Sequence, residues 1–471
     1  MKIIKPFQCV CIGVLLSLSG CALAPKYKQP TPPVPQAWHT TEADKESQRT
    51  AGAPAAADVK WREFFTDARL QSVIEFALAN NRDLRMAALN LEKAQALYKI
   101  QRAQQYPTVS AAAGGEAYRL PAKMSNDGKS DTVGQITVGV GISNWEPDLF
   151  GRIRSLKSAA LEQYMATEQA RRGTQIALVG AVANSYLALA ADRENLHLAR
   201  ETLKTQQAYY ELILRTRDAG MASDLELRQT QSQVEAARVD IARYAGQVAV
   251  DENALNLVVG APVPANLLPG ELGSETALKD VAAGLPSEVL LKRPDILSAE
   301  HQLKAAYANI GAARANFFPR ISLTAALGLM SGDLTNLFKY GSRTWDFAPQ
   351  AALPIFDAGA RKANLKVAEV DRDLAVAEYE KAIQSAFREV SDSLSLRTRL
   401  MEQQDAQQNL VDTLAETYRL SDARYKAGID SYLSVLVAQR SLYGAQQGLV
   451  SLRFARMSNL VTLYKVLGGG A

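Results

Sequence analysis

The sequence predicts a mainly α-helical protein with a membrane β-barrel part, built from two repeats. Three observations support this fold class. Two long stretches without proline carry apolar residues at steps of three and four, which is the spacing of packed helices. Short segments alternate apolar residues with small or polar ones, as strands between lipid and water do. The same order of motifs returns 212 residues later, which indicates an internal repeat.

The N-terminus predicts a lipoprotein signal. A positively charged start and a short apolar run lead to Leu18-Ser19-Gly20-Cys21, which resembles the lipobox of bacterial lipoproteins. We therefore expect residues 1–20 to be removed and Cys21 to carry the lipid. Ala22 follows, and since an aspartate there often marks retention at the inner membrane, we expect the outer membrane. An ordinary secretory signal with a chance cysteine stays open as the alternative.

Residues 21–60 are predicted to form a lipidated, proline-rich tether. Six prolines stand among small polar residues: Pro25, Pro30, Pro32, Pro33, Pro35 and Pro54. This composition favours an extended, stiffened segment between the lipid and the folded body. A motif for a proline-binding partner is the weaker alternative outside a cytoplasm.

The body of the chain repeats itself. We expect a first repeat over 61–260 and a second over 287–471, joined by a linker over 261–286 that is rich in proline and glycine. The returning motifs are Asn81-Arg82-Asp83-Leu84 with Arg293-Pro294-Asp295-Ile296, Tyr106-Pro107 with Phe318-Pro319, and Ala219-Gly220 with Ala427-Gly428. Each repeat is therefore expected to hold a helix, two strands, a long helix, a turn and a helix.

Four strands are predicted, over 107–119, 133–145, 319–330 and 345–355. The second shows the clearest alternation, with one face formed by Ile136, Val138, Val140 and Ile142 and the other by Gln135, Thr137, Gly139 and Gly141. One apolar face and one small or polar face suit a barrel strand with lipid outside and water inside. A soluble, half-buried strand has the same local pattern, so this alternative stays open.

Two helices are predicted after each pair of strands. They span 151–217 and 222–259 in the first repeat, and 359–426 and 430–467 in the second. The apolar steps in the first long helix fall at Ile176, Val179, Ala183, Tyr186 and Ala190. This spacing predicts coiled-coil packing. Helices of this length are rare in globular enzymes, so the pattern favours an assembly protein.

The turns at 218–224 and 426–431 close the two helix pairs. Each holds an Ala-Gly dipeptide where glycine takes the left-handed conformation at a helix C-terminus. Ser223 and Glu226 predict a capping box for the helix that follows the first turn. Asp430 is the predicted N-cap in the second turn. In the simplest interpretation these residues only build tight turns.

Composition and charge argue against several other classes of protein. With 47% apolar and 22% charged residues, the chain is too apolar for a disordered protein. The formal net charge of +4 comes without a clustered basic patch, so no nucleic-acid partner is expected. His39, His197 and His301 are far apart in the sequence, so we expect no metal site. Common catalytic and cofactor motifs are absent, so we expect neither an enzyme nor a cofactor.

Four motifs together resemble the TolC-like outer-membrane factors. They are Trp145-Glu146-Pro147-Asp148-Leu149-Phe150-Gly151-Arg152, Arg293-Pro294-Asp295-Ile296, Asn309-Ile310-Gly311-Ala312-Ala313-Arg314 with Phe317-Phe318-Pro319, and Leu353-Pro354-Ile355-Phe356. The lipobox is similar to that of the lipoprotein branch, which includes the outer-membrane channels of RND-type tripartite efflux pumps. The resemblance covers nearly all of the chain after the signal.

The resemblance implies a homotrimer in the outer membrane, lipid-anchored and with a large periplasmic part. Each protomer would give four strands to a 12-stranded β-barrel, which continues as a long periplasmic α-helical barrel. Physical chemistry agrees with a trimer. Four strands cannot close a barrel, and an open sheet edge in lipid leaves backbone groups unpaired.

The function that the resemblance implies is a passive exit duct. It would carry small molecules such as drugs from a periplasmic adaptor protein and an inner-membrane RND-type transporter to the outside. Two alternatives stay open. A type I protein-secretion system uses the same fold for its exit duct. A lipid-anchored periplasmic coiled-coil scaffold would have the helices but would not need the alternating strands.

The resemblance also implies roles for the two turns. The residues that match the adaptor-contacting tips of the family are Ala219, Gly220, Met221, Ala427, Gly428 and Ile429. Tyr425 matches a tyrosine of the periplasmic gate. Some members carry aspartates at the positions of Ser434 and Val437, where they form a cation-binding acidic ring. Because this chain lacks them, Asp430 is the acid left in the second turn, and we expect it to serve at the gate with Tyr425.

Overall fold

The computed structural model describes residues 23–35, 38, 59–125, 128–272, 278 and 290–469. The predicted signal peptide and Cys21 lie outside these residues, as do parts of the predicted tether and linker. The chain divides into two compact units. Unit one comprises Met1–Pro30, Leu91–Thr167 and Ala299–Tyr379, and unit two comprises Thr31–Asn90, Glu168–Ser298 and Glu380–Ala471.

From the last helix before the strands onward, the elements of the two repeats follow the same order, whereas the first repeat has three helices before its strands where one was predicted. Those of the first are α1 (Trp61–Phe64), α2 (Ala68–Asn80), α3 (Arg82–Ala103), β1 (Val109–Leu120), β2 (Asp131–Trp145), α4 (Arg152–Asp218) and α5 (Asp224–Val259). Those of the second are α6 (Pro294–Ala315), β3 (Arg320–Ser331), β4 (Arg343–Ala352), α7 (Ala360–Lys426) and α8 (Tyr432–Val466). The largest difference from the predicted bounds is at β4, which ends at Ala352 instead of residue 355. The neighbouring strand explains this end, because β3 begins at Arg320, which pairs with Ala352, and residues 353–355 have no partner on it.

Asn81 separates α2 from α3. Its backbone is extended, with φ of −62° and ψ of 133°. The side-chain oxygen accepts a hydrogen bond from the N–H of Leu84 at 2.8 Å, and the side-chain nitrogen donates to the carbonyl of Val258 at 2.7 Å. An asparagine therefore caps the second helix and ties it to the end of α5.

The four strands form one antiparallel sheet in the order β1-β2-β3-β4. The register pairs Val140 with Ala111 on β1 and with Leu327 on β3. One side, the apolar face, carries Val109, Ala111, Ala113, Ile136, Val138, Val140, Ile142, Ala325, Leu327, Leu329, Trp345 and Phe347. The opposite side, the small-residue face, carries Ser110, Ala112, Gly114, Gln135, Thr137, Gly139, Gly141, Thr324, Ala326, Gly328, Thr344 and Asp346. The alternation of β2 thus extends across the four strands, with Met330 on the small-residue face and Arg343 on the apolar face among the exceptions.

A β-bulge lies near the end of β2. The register shifts between Ile142 and Trp145, and Asn144 takes a positive φ of 56°. The N–H of Asn144 is held by the hydroxyl of Thr324 at 3.2 Å. The extra residue places Trp145 opposite Leu323, so the indole returns to the apolar face where strict alternation would turn it away.

The two long helices begin in the same way. Asp148 accepts hydrogen bonds from the N–H groups of Ile153 and Arg154, at 3.1 and 2.8 Å. Asp357 accepts one from the N–H of Arg361 at 3.1 Å and also pairs with its guanidinium at 2.7 Å. A carboxylate at a helix N-terminus satisfies free N–H groups and complements the helix dipole. Both helices therefore have a defined start directly after the sheet.

Unit two has an aromatic and aliphatic core. Phe64 stacks on Tyr464 with ring centroids 4.0 Å apart, and both rings are buried. The hydroxyl of Tyr186, on α4, donates to Asp67 at 3.1 Å, and Asp67 also caps α2. The heptad positions predicted on α4, including Val179, are buried as well. Packing of the first helices against the long ones holds this unit together.

The N-terminal part of the predicted tether is packed against α6 and does not stand free. In unit one, the hydroxyl of Tyr27 donates to Glu300 at 3.0 Å, and its ring lies edge-on to Tyr307. Arg314 donates to the carbonyl of Leu23 at 3.3 Å. The segment over 23–35 forms neither helix nor strand, in keeping with its prolines.

Among the described residues, one helix is long and apolar enough to cross a membrane by length and composition. It is α4, in which an 18-residue stretch has a mean hydropathy of 1.4. The chain itself buries 61% of that stretch. A buried core helix passes the same test, so this feature is weak support for a helical span.

Candidate functional site

The turns between α4 and α5 and between α7 and α8 share one backbone geometry. Gly220 and Gly428 have φ of 76° and 72°. The N–H of Met221 donates to the carbonyl of Thr216, and the N–H of Ile429 donates to that of Arg424, each at 2.9 Å. These are the bonds of a helix C-terminus closed by a left-handed residue, a conformation in which glycine is free of strain.

The helices that leave the two turns are capped differently. Ser223 and Glu226 form the predicted capping box, with bonds of 2.9 and 3.2 Å between each side chain and the other residue's N–H. The prediction that Asp430 caps the second helix is wrong. The N-cap is Ser431, and its side chain makes no capping bond.

Asp430 instead forms a two-point ion pair with Arg424. The two distances are 2.6 and 3.0 Å, and the pair spans the turn from the last residues of α7. The hydrogen bond from the guanidinium holds the pKa of Asp430 below its usual value. The carboxylate bonds to the guanidinium and not to the N–H groups at the start of α8, because a bidentate guanidinium is the stronger partner.

A cluster of four tyrosines, the tyrosine cluster, lies beside the turns in unit two. Its members are Tyr209 on α4, Tyr418 and Tyr425 on α7, and Tyr432 on α8. The ring of Tyr432 is fully buried, and its centroid lies 5.4 Å from that of Tyr209 and 5.5 Å from that of Tyr425. Ile213, Leu227, Val435 and Leu436 complete the buried core here. All four long helices therefore meet at one apolar cluster.

One hydrogen bond of this cluster joins the two repeats directly. The hydroxyl of Tyr209 donates to a carboxylate oxygen of Asp422, and it lies 3.4 Å from the hydroxyl of Tyr418. Lys426 pairs with the other oxygen of Asp422 at 2.8 Å. Burial opposes the ionisation of Asp422, but the hydrogen bonds from Lys426 and Tyr209 outweigh it and hold its pKa below the usual value.

The tips of the turns are open to solvent. Met221 is 76% exposed and Ile429 is 62% exposed. A side chain added at Gly220 or Gly428 would meet no atom within 4 Å. The two turns thus present small residues, flanked by apolar side chains, to whatever approaches them.

Sequence reasoning did not find Tyr209, Tyr418 or Asp422. One signal was available, since Tyr210 and Tyr418 are separated by 208 residues, the same offset as the two Ala-Gly turns. The partner of Asp430 was also missed, because a pair six residues apart depends on the path of the turn. Among the described residues, no group of three or more His, Cys, Asp or Glu side chains is placed to hold a metal ion.

The small-residue face of the sheet forms a groove. Its lining includes Ser110, Thr137, Gly139, Thr324, Gly328, Thr344 and Asp346. Hydroxyl, glycine and alanine positions predominate on this face, which carries one longer apolar side chain in the groove, that of Met330. The apolar face has the opposite character, with Trp345 74% and Phe347 59% exposed. Such a sheet suits a wall between hydrocarbon and water.

Comparison with known proteins agrees with this geometry. The chain matches the family model described as outer membrane efflux protein over residues 73–261 and 285–469. The chain belongs to this family. The probable efflux pump outer membrane protein TtgC of Pseudomonas putida is 49% identical over 454 residues, covering 96% of this chain and 93% of the relative. Outer membrane protein OprJ of Pseudomonas aeruginosa is 41% identical over 459 residues, covering 97% and 94%.

Solved structures show the same fold. A membrane protein from Pseudomonas aeruginosa is 41% identical with a TM-score of 0.89, covering 96% of this chain and 98% of that one. The open state of the MtrE outer membrane channel of Neisseria gonorrhoeae is 37% identical with a TM-score of 0.86, covering 96% and 98%. This outer membrane efflux protein therefore has the trimeric channel fold. Its four strands supply one third of a 12-stranded barrel, and its long helices belong to a periplasmic α-helical barrel.

The family also identifies the function of the chain. This outer membrane efflux protein is the outer-membrane exit duct of an efflux pump. The family description and the name of TtgC both specify efflux, which favours efflux over the alternatives of type I protein secretion and a periplasmic scaffold. The sheet agrees with that choice, because a scaffold would need no wall with one apolar and one wettable face.

Proposed function

We propose that the duct works as a homotrimer with a periplasmic adaptor protein and an inner-membrane RND-type transporter, and that it conducts passively, without catalysis or a cofactor. The two-faced sheet carries this proposal, since the hydroxyl, glycine and alanine positions of its small-residue face suit the wall of an aqueous duct. Deletion of the gene should abolish energised efflux of a dye and restore sensitivity to toxic compounds, while protein secretion stays unchanged. Loss of a secreted protein with normal dye efflux would contradict the proposal.

We propose small organic molecules as the cargo. The relatives named for cargo are a toluene, a solvent and an antibiotic efflux pump outer membrane protein, all from Pseudomonas putida. The groove on the small-residue face has hydroxyl and glycine positions but no dense charge, so it favours no single compound. Complementing a deletion strain and comparing tolerance of toluene with tolerance of several antibiotics tests the range of cargo.

We propose that the two turns contact the adaptor. The contacting residues are Ala219, Gly220, Met221, Ala427, Gly428 and Ile429. Their exposure and the space around both glycines support this role. Met221→Glu with Ile429→Glu should abolish co-purification with the adaptor while the trimer stays intact. Ala236→Glu, at an exposed position on α5, should leave co-purification unchanged.

We propose that Tyr425 and Asp430 form the periplasmic gate. Three copies of Asp430 around the threefold axis would repel one another, and the ion pair with Arg424 offsets this repulsion. Burial, followed by the nearby charge of Glu226, raises the pKa of Tyr425, so its hydroxyl stays neutral and packs in the tyrosine cluster. Asp430→Ala should change the single-channel conductance or the block by divalent cations without changing trimer stability. Unchanged conductance would place the constriction elsewhere.

We propose that Cys21 is the lipidated first residue of the mature protein. The lipobox supports this proposal, and two residues after Cys21 the carbonyl of Leu23 accepts a hydrogen bond from Arg314. Mass spectrometry of the mature N-terminal peptide should show an acylated cysteine. With another signal peptide, Cys21→Ser should still give a trimer, because the barrel anchors the protein by itself.

A further inference from the structure

Two aspartates on neighbouring helices of unit two lie side by side. Asp192 is on α4 and Asp251 on α5, and their carboxyl groups are close enough to share a hydrogen bond. Within the described part of the chain, neither carboxylate forms an ion pair. Two carboxylates at this distance repel one another when both are ionised. The helices therefore meet at a point where no described side chain balances the negative charge.

The residues next to the aspartates do form an ion pair. Arg193 and Glu252, each directly after one aspartate in the sequence, pair at 2.6 Å. The guanidinium of Arg193 also donates to the carbonyl of Pro269. The cation that is nearest in sequence therefore binds other acceptors, and it leaves Asp192 and Asp251 without a positive partner.

Two oxygen atoms beside this carboxyl pair are buried and have no hydrogen-bond donor. Asp251 accepts a hydrogen bond from Gln247 through Oδ1 at 3.0 Å, but its Oδ2 has no donor. Asn195 is only 7% exposed, its amide group contacts the carboxyl of Asp192, and its Oδ1 also has no donor. A buried oxygen without a donor costs free energy, and a bound ion or water is a common reason for one.

We propose that Asp192, Asp251 and Asn195 bind a divalent cation, Mg²⁺ or Ca²⁺, which links α4 to α5. The three side chains offer oxygen ligands, two of them carboxylates, and both cations prefer such ligands. The two ends of an amide have the same shape, so a half-turn of the Asn195 amide directs its oxygen towards the carboxyls. Ligand oxygens around Mg²⁺ are only about 3 Å apart, so carboxyls that already share a hydrogen bond need little movement to share an ion.

The ion is structural and takes no part in conduction. Asp192 and Asp251 are each partly exposed, so water can reach the ion and complete its coordination shell. The site has two acids and an amide, and it therefore differs from the groups of three acidic, histidine or cysteine side chains that the described residues lack. No short motif marks it, because its ligands come from two helices.

The test is equilibrium dialysis of the purified trimer in detergent, against Ca²⁺ and against Mg²⁺. We expect at least one of these ions to saturate at one ion per protomer. Asp192→Asn and Asp251→Asn keep the shape of the side chain and remove a charge. Each should lower the affinity by about tenfold or more, because affinity depends on the number of charged ligands. Asn195→Ala, which removes a neutral ligand, should lower it less.

Glu201→Gln is the control, since Glu201 is an exposed acid on α4 and not a proposed ligand. Its affinity should stay within about twofold of the parent, because salt screens distant charges. The bound ion should also raise the unfolding temperature of the parent and of Glu201→Gln, but not that of Asp192→Asn. The proposal is overturned if neither ion saturates at one per protomer, or if Asp192→Asn binds as the parent does. An equal loss of binding in Glu201→Gln overturns it as well, since the ions would then respond only to overall charge.

Discussion

Gly139 on β2 lies opposite Gly328 on β3, and a Cβ atom added at Gly328 would lie 2.4 Å from the carbonyl oxygen of Val138. The strands approach so closely on the small-residue face that only hydrogen fits there. We expect Gly328→Val to lower the stability of the assembled barrel by roughly 1–3 kcal/mol, because the clash is with backbone and cannot be relieved by a side chain. Heat-dependent migration of the trimer in detergent gels measures the loss.

Gly114 provides the control for this prediction. It lies on the same face of the sheet, but an added Cβ would meet only the hydroxyl of Thr137 at 3.8 Å. Gly114→Val should therefore assemble nearly as well as the parent. If the two variants melt together, close strand approach is not the reason for glycine at position 328.

The two faces of β2 predict opposite responses to a new charge. Val138 is on the apolar face and Gln135 on the small-residue face. Val138→Arg should cost about 2–4 kcal/mol near the bilayer midplane, because the guanidinium would enter hydrocarbon. Gln135→Arg should cost far less, since its side chain stays in the water of the duct. The yield of trimer in outer membranes measures the cost of each substitution. Equal yields of the two variants would mean that the faces are assigned wrongly.

The features that could be predicted from the sequence are those that depend on residues close together in the chain. The alternation at Ile136, Val138 and Val140 and the glycines at both turns depend on neighbouring residues, so they are visible without coordinates. The break at Asn81 was less visible, since its side chain acts through Val258, on another helix.

The tyrosine cluster could not be predicted in this way. Tyr209 and Asp422 are 213 positions apart, and no local pattern says which tyrosine meets which aspartate. Asp430 illustrates the same limit at short range. An aspartate in a turn before a helix is predicted to cap that helix, but the guanidinium of Arg424 binds the carboxylate of Asp430 once the turn has folded.

Asp192 predicts a pH dependence of stability. Burial, followed by a hydrogen bond to Asp251, raises the pKa of Asp192 to about 6 from an ordinary value of 3.8. Since the folded state then holds a proton that the unfolded state has lost, this group stabilises the fold less as the pH rises from about 4 to about 6. Its contribution is constant above and below that window.

Asp192→Asn should remove this slope and raise the free energy of unfolding at pH 7. The measurement is denaturant unfolding of parent and variant at several pH values, with the difference between them plotted against pH. Asp412→Asn replaces an exposed carboxylate on α7 and serves as the control. A parent-like slope in Asp192→Asn would show that Asp192 does not titrate as described.

Arg293 ties three helices together at the start of the second repeat. Its guanidinium donates to Asp295 at 2.7 Å, to Glu389 on α7 at 2.9 Å, and to the carbonyl of Val466 at the end of α8 at 2.8 Å. The side chain is only 10% exposed. Carbonyls at a helix C-terminus have no partner within the helix, so the arginine satisfies one that would otherwise be buried and unpaired.

Removing this side chain should therefore be costly. We expect Arg293→Ala to lower the free energy of unfolding by about 2–3 kcal/mol, because one carbonyl and two carboxylates lose a charged partner together. Arg62 offers the comparison, since its pair with Glu75 at 2.7 Å is 61% and 52% exposed. Arg62→Ala should cost less than about 1 kcal/mol, as exposed ion pairs do. Urea unfolding of both variants decides the matter, and equal losses would mean that burial at Arg293 adds nothing to its three bonds.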